Sequence, residues 1–275
     1  MLGFRVVSVL VGLVVSVSAS VATWGELVEL RLEYELDGTA FRGTLVYDDT
    51  QVSSEKPAPG VMVVPEWWGV NDYAHDRARA LAALGYVAFA ADLYGLDENG
   101  QVKVTESGEQ ASAWAMALYG DVPTWRARLK ASLSVLAAQP TVQADKLGAI
   151  GFCFGGASVL QLAYSGADVD AVVSFHGTPI VPTETELQNT RAAILVAHGG
   201  DDPFDPLDKL IALIEALEPS DVDYQVNLYG HARHSFTNPG ADGSFNPGAI
   251  YSETAEPRAW SAMRRWLREH FSGES

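Results

Sequence analysis

The sequence predicts an α/β chain: an eight-stranded, mostly parallel sheet with helices on both faces and an antiparallel hairpin at its start. Three observations carry this. Short, uniformly apolar runs such as Val61–Val64, Ala171–Phe175 and Ala193–Ala197 have the length and composition of strands buried on both faces. Segments with helical spacing alternate with them, which is the order that builds a parallel sheet from crossover units. The first two runs instead alternate apolar and polar residues, as a strand with one wetted face does.

Taken in order, Leu27–Leu36 and Ala40–Tyr47 flank Asp37-Gly38, a dipeptide suited to a tight hairpin turn. Val61–Val64 is a short strand stopped by Pro65. Asp76–Leu84 has helical spacing and ends at Gly85, and Tyr86–Ala90 is again a strand. Two helices follow, over Thr105–Tyr119 and Pro123–Ala138. Then come Leu147–Ile150 (strand), Phe154–Tyr164 (helix), Ala171–Phe175 and Ala193–Ala197 (strands), Pro206–Leu217 (helix), Tyr224–Tyr229 (strand) and Glu256–Phe271 (helix). Nothing in the composition divides the chain, and 275 residues at 48% hydrophobic content suffice for one large core. Residues 1–22 stand apart. Arg5, the apolar stretch Val6–Val17 and the small residues Ser18–Ala22 form the pattern of a secretory leader, so the expected domain spans residues 23–275 and the expected location is outside the cytoplasm. The apolar stretch is short for a membrane span, which needs roughly 20 residues.

Cys153 is the only cysteine, so no intramolecular disulfide and no multi-cysteine metal site can form. Its context is Gly151-Phe152-Cys153-Phe154-Gly155-Gly156, after an apolar strand and before a helix. That is the setting of a nucleophile elbow, with cysteine where serine usually stands. The tight turn needs small neighbours, and a helix N-terminus favours both thiolate and oxyanion. In this arrangement the acid and then the base follow along the chain. One later strand ends in Gly199-Gly200-Asp201-Asp202-Pro203-Phe204 and the next in Gly230-His231-Ala232-Arg233-His234-Ser235-Phe236. The acid is therefore Asp201 or Asp202 and the base His231 or His234, and spacing alone leaves the choice open.

Together, Pro65-Glu66-Trp67-Trp68-Gly69, Asp92-Leu93-Tyr94, the Cys153 elbow, Asp201-Asp202-Pro203-Phe204 and His234-Ser235-Phe236 resemble the dienelactone hydrolase family of α/β-hydrolases. The resemblance implies Asp202 as acid and His234 as base. It implies that Glu66 interacts with the resting Cys153 and is displaced when substrate arrives. It also implies an oxyanion hole made by the backbone N–H groups of Trp67 and Phe154. The chain departs from the family pattern where a substrate carboxylate is held by arginines. Those places here read Gly95-Leu96 and Thr237-Asn238, so a neutral or hydrophobic acyl substrate is expected instead. Trp67, Trp68, Tyr94, Trp114 and Phe236 are candidates to line an aromatic pocket.

The expected chemistry is hydrolysis of an ester, lactone or thioester through a cysteinyl-acyl intermediate. Acyl transfer or thioester cleavage on the same triad is the enzymatic alternative, and an exported binding protein on a hydrolase scaffold the non-enzymatic one. A net charge of −17 disfavours nucleic acid and anionic lipid as partners. With no HExxH spacing, no GxGxxG after a strand and no phosphate-binding loop, neither metal nor cofactor is expected. His176 and His198, at the ends of apolar strands, read as satisfied near-core residues.

Overall fold

The computed structural model describes residues 27–272; the leader expected over residues 1–22 lies outside them. Eight strands form one sheet: β1 (Leu27–Leu36), β2 (Thr39–Asp48), β3 (Ala58–Val64), β4 (Val87–Ala90), β5 (Val142–Phe152), β6 (Ala171–Phe175), β7 (Ala193–Gly199) and β8 (Tyr224–Tyr229). Their spatial order is β1-β2-β4-β3-β5-β6-β7-β8. The β1–β2 and β2–β4 pairs are antiparallel, and every pair from β4 through β8 is parallel. The hairpin turn works as its sequence suggests: Asp37 and Gly38 both adopt positive φ, 49° and 76°, which matches the twist of the flanking strands.

The helices are α1 (Asp72–Ala82), α2 (Gly108–Tyr119), α3 (Val122–Ala137), α4 (Phe154–Tyr164), α5 (Glu184–Asn189), α6 (Leu207–Leu217) and α7 (Ala255–Ser272). Successive strand residues point to opposite faces, and this divides the core. Val61, Val63, Ile150 and Phe152 pack with α1 and α7 on one side. Met62, Val64 and Ala149 pack with α2, α3, α4 and α6 on the other.

Among the differences from expectation are two element starts and one extra helix. The first helix begins at Asp72 rather than Asp76, because the Asn71 side chain caps it by accepting from the Ala74 N–H. The strand expected at Leu147–Ile150 begins at Val142; Val142 and Gln143 pair with Ala58 and Pro59 of β3, beside a register shift at Pro59/Gly60. The unforeseen α5 buries none of its residues and is held by a Thr183–Glu186 capping box, so it leaves no apolar periodicity to read. Among the described residues no helix is long and apolar enough to cross a membrane.

This topology fixes where chemistry can occur. Glu66 follows β3, Cys153 follows β5, His176 follows β6, Asp202 follows β7 and His234 follows β8. All lie at the carboxyl edge of the parallel strands, where open α/β sheets bind ligands.

Candidate active site

Cys153 sits between β5 and α4 with φ 53° and ψ −115°, a conformation that costs a non-glycine residue energy and is held by its surroundings. The flanking glycines permit it. A Cβ on Gly151 would lie 1.9 Å from the Gly155 carbonyl oxygen, and one on Gly155 would lie 2.1 Å from that of Val64. The elbow therefore closes onto itself and onto the end of β3, bringing the loop that carries Glu66 and Trp67 alongside the cysteine.

Exposure and hydrogen bonding separate the two candidate acid–base pairs. His231 and Asp201 approach to 3.4 Å, but their side chains are 98% and 55% exposed. His234 Nδ1 and Asp202 Oδ2 are 2.8 Å apart with side chains 11% and 0% exposed, a pair water does not screen. Asp202 Oδ1 also accepts from the backbone N–H groups of Phe204 (2.9 Å) and Asp205 (3.2 Å), which fixes the carboxylate plane. The His234 main chain is pinned by bonds to Gly248 and Ile250. Burial pushes the His234 pKa down, but the adjoining Cys153 thiol, when ionised, and Asp202 outweigh it and hold the imidazole well above its usual value.

Glu66 is 3% exposed. It lines the same cavity as Cys153, and its hydrogen bonds among the described residues come from elsewhere: Ser235 Oγ donates to Oε1 and Asn238 Nδ2 to Oε2, both at 2.8 Å. Two neutral donors satisfy this carboxylate and tie the β3 loop to the β8 loop. Burial nonetheless raises its pKa, against those two hydrogen bonds and the more distant His234 and Arg77.

A cavity of about 840 Å³ opens over the cysteine, lined by Glu66, Trp67, Trp68, Cys153, His234 and Phe245 among others. Of the proposed aromatic wall, Trp67 and Trp68 line it; Tyr94 and Phe236 do not. Tyr94 is stacked on Phe154 at 5.9 Å and donates to the Trp67 carbonyl, so it supports the wall from behind, with Trp114 packed against it. Phe236 is fully buried against His176 and Tyr229, because the residue after Ser235 points into the core. Phe245, in the loop after His234, completes the wall at 5.0 Å from Trp68, a role its exposed loop position gave no reason to expect. Glu66, Glu106, Asp205 and Asp242 line the cavity and no lysine or arginine does among the described residues. Trp67 lines the same cavity as Cys153, and Phe154 directly follows the cysteine as the first residue of α4.

His176, expected as a near-core residue, is fully buried but reaches the site: its ring lies 5.3 Å from that of His234, and its Nδ1 is 3.1 Å from the Cys153 N–H.

The dienelactone hydrolase family profile matches residues 43–271. A putative carboxymethylenebutenolidase of Saccharolobus solfataricus is 27% identical over 270 residues, 88% of this chain and 98% of that protein. The carboxymethylenebutenolidase of Pseudomonas putida is 26% identical over 191 residues, 69% of this chain and 80% of its own. Among solved structures, a dienelactone hydrolase-like promiscuous phosphotriesterase from metagenomic libraries superimposes with a TM-score of 0.84 at 38% identity, covering 90% of this chain and 100% of that one. With the sheet order and the carboxyl-edge site in agreement, the chain belongs to the dienelactone hydrolase family of α/β-hydrolases, enzymes acting on ester or lactone bonds.

Proposed function

We propose that this protein hydrolyses neutral or hydrophobic esters, lactones or thioesters through a Cys153 acyl-enzyme. The observation that carries the reading is the strained cysteine at the N-terminus of α4 beside a buried His234–Asp202 pair. His234, oriented by Asp202, takes the thiol proton as the sulfur attacks the substrate carbonyl. The oxyanion is received by the N–H groups of Trp67 and Phe154, worth roughly 3–4 kcal/mol per donor in comparable sites. Collapse expels the leaving group, which takes the proton from His234, and leaves a thioester. His234 then removes a proton from water, hydroxide adds to the thioester, and the acid and the thiol are released.

The substrate class follows from charge. No lysine or arginine lines the cavity among the described residues, and Thr237-Asn238 stand just after His-Ser-Phe, where the family pattern has an arginine. A substrate carboxylate would meet Glu66 with nothing to neutralise it, whereas a neutral acyl group would meet Trp67, Trp68 and Phe245. The phosphotriesterase relative fits the same logic, since a phosphotriester is uncharged, and a neutral phosphotriester is a second electrophile for Cys153. The acidic composition and the leader pattern of residues 1–22 support action after export.

The test is rapid-mixing hydrolysis of p-nitrophenyl esters of increasing acyl length by wild type and Cys153→Ser. A burst equal to the enzyme concentration, lost or sharply slowed in the variant, is expected. Full turnover by Cys153→Ala would overturn the mechanism.

A further inference from the structure

His176 is a buried histidine that the acyl-transfer steps do not use. Its φ of 40° is unusual for a non-glycine residue, and both ring nitrogens are engaged. The Cys153 N–H donates to the Phe175 carbonyl oxygen at 3.0 Å and also to Nδ1 at 3.1 Å; a proton on Nδ1 would face that donor, so Nδ1 is the unprotonated nitrogen. Nε2 then carries the proton and donates to Thr237 Oγ1, 2.7 Å away. Thr237 Oγ1 is also 2.7 Å from the Tyr73 hydroxyl. Thr237 Oγ1 keeps a second lone pair, but the residue is buried and its own proton meets no acceptor other than Tyr73 Oη among the described residues. Pairing that buried proton with Tyr73 Oη leaves the Tyr73 proton for another acceptor. Tyr73 lines the catalytic cavity, and among the described residues its hydroxyl makes no second hydrogen bond. Its ring is clamped between Phe152, 5.2 Å away, and the Arg77 guanidinium, 5.0 Å away, which is paired with Glu256.

We propose that Tyr73 is a substrate-contacting hydrogen-bond donor of this active site, and that His176 and Thr237 are the positioning residues that turn its hydroxyl toward the cavity. The relay starts at the backbone of the nucleophile itself, so the geometry of the elbow and the direction of the Tyr73 proton are set together. Burial, and then the charge of His234, hold the His176 pKa well below its usual value, which keeps the ring in the single-proton state the relay needs. The proposal rests on the acyl-enzyme reading.

The test uses the full chain and p-nitrophenyl acetate, with burst rate, steady-state kcat and KM, and iodoacetamide alkylation of Cys153 measured for each variant. Tyr73→Phe removes only the donor, and about a tenfold slower burst is expected, with alkylation unchanged. Asparagine tolerates positive φ, so His176→Asn keeps an acceptor near Nδ1 while its amide falls short of Thr237; it should lose as much as Tyr73→Phe. His176→Gln places an N–H near the Nε2 position and should recover most of that loss. The double variant Tyr73→Phe/His176→Asn should be no slower than either single variant, since both break one relay. Tyr73→Phe within twofold of wild type, losses that multiply in the double variant, or an alkylation rate that falls along with the burst would each overturn the proposal. A wild type without any burst would overturn the acyl-enzyme reading and this inference with it; a normal burst indifferent to Tyr73 and His176 would overturn this inference alone.

Discussion

Replacing Asp202 by asparagine changes one atom and tests the assignment of the acid. Oδ1 is committed to the N–H groups of Phe204 and Asp205, so the amide must turn its NH2 toward His234 Nδ1. A donor there forces Nδ1 to accept, and the ring proton moves to Nε2, where it faces the sulfur instead of receiving its proton. The imidazolium that forms during attack also loses its carboxylate partner. In a comparable triad the same wrong tautomer costs about 10⁴ in kcat. A loss of about 10³–10⁴ in the acylation rate is expected here, or about 4–5.5 kcal/mol of barrier. KM should stay within about threefold, because Asp202 does not line the cavity. The assay is the pre-steady-state burst, with thermal melting to show that the variant folds. Asp201→Asn is the control: its side chain is 55% exposed and, among the described residues, paired with the exposed His231 alone, so wild-type rates are expected. An Asp202→Asn burst within tenfold of wild type would refute the assignment, and a collapse in Asp201→Asn instead would transfer the role.

Three further outcomes follow from the site. The folded-state pKa of Glu66 lies above the unfolded value, so the native protein binds this proton more tightly. Stability from Glu66 is therefore full below the ordinary carboxylate pKa and is lost as pH rises through the folded value. Glu66→Gln, which keeps partners for Ser235 and Asn238, should gain stability over wild type as pH rises and converge with it in acid; urea titrations at several pH values would show this, and a gap that narrows with rising pH would contradict it. Asn238→Arg puts a cation against Glu66 at the cavity wall and should raise the preference for carboxylate-bearing over neutral esters by about tenfold, ~1.4 kcal/mol, read as a ratio of kcat/KM values; an unchanged ratio would count against charge as the selector. In Gly155→Ala the new Cβ meets the Val64 and Pro65 carbonyl oxygens at 2.1 and 2.5 Å, both backbone. Neither can turn aside, so a loss of about 3 kcal/mol or more is expected in denaturant titration.

The strand count and the location of the site were legible because they rest on local signals: apolar runs of strand length, glycines on either side of one cysteine, and polar loops after strands. Phe154–Tyr164, Ala171–Phe175 and Tyr224–Tyr229 fall where composition and punctuation put them. What escaped was set by contacts between distant segments. Asp201 and Asp202 are neighbours in sequence, and only the fold buries one and leaves the other in water. Tyr94 and Phe236 are aromatic residues next to motif residues, yet backbone direction turns both away from the cavity, while Phe245 enters it from a loop without periodicity. His176 was readable as buried, but its contact with a backbone N–H 23 residues away depends on β5 and β6 being adjacent.

Of the two departures from the family pattern, the one at Thr237-Asn238 lies at the cavity. Asn238 stands where an arginine would make a charged pair with Glu66 or with substrate, and its amide gives Glu66 a hydrogen bond without a charge. The carboxylate is thereby kept in position without a hydrogen-bonded cation, with only the more distant His234 and Arg77 to offset its charge. An anionic substrate would lose affinity twice, once through the missing cation and once through repulsion by Glu66; a neutral ester loses neither. Its hydrolysis, however, makes an acid that ionises in the same cavity, so the repulsion that excludes anionic substrates also favours departure of the product. The proposed preference for neutral substrates thus predicts weak product inhibition, and Asn238→Arg should strengthen inhibition by the product carboxylate as it improves turnover of anionic esters. Inhibition unchanged in that variant would mean that Glu66 is neutral when product is bound, and that aromatic packing rather than charge does the selecting.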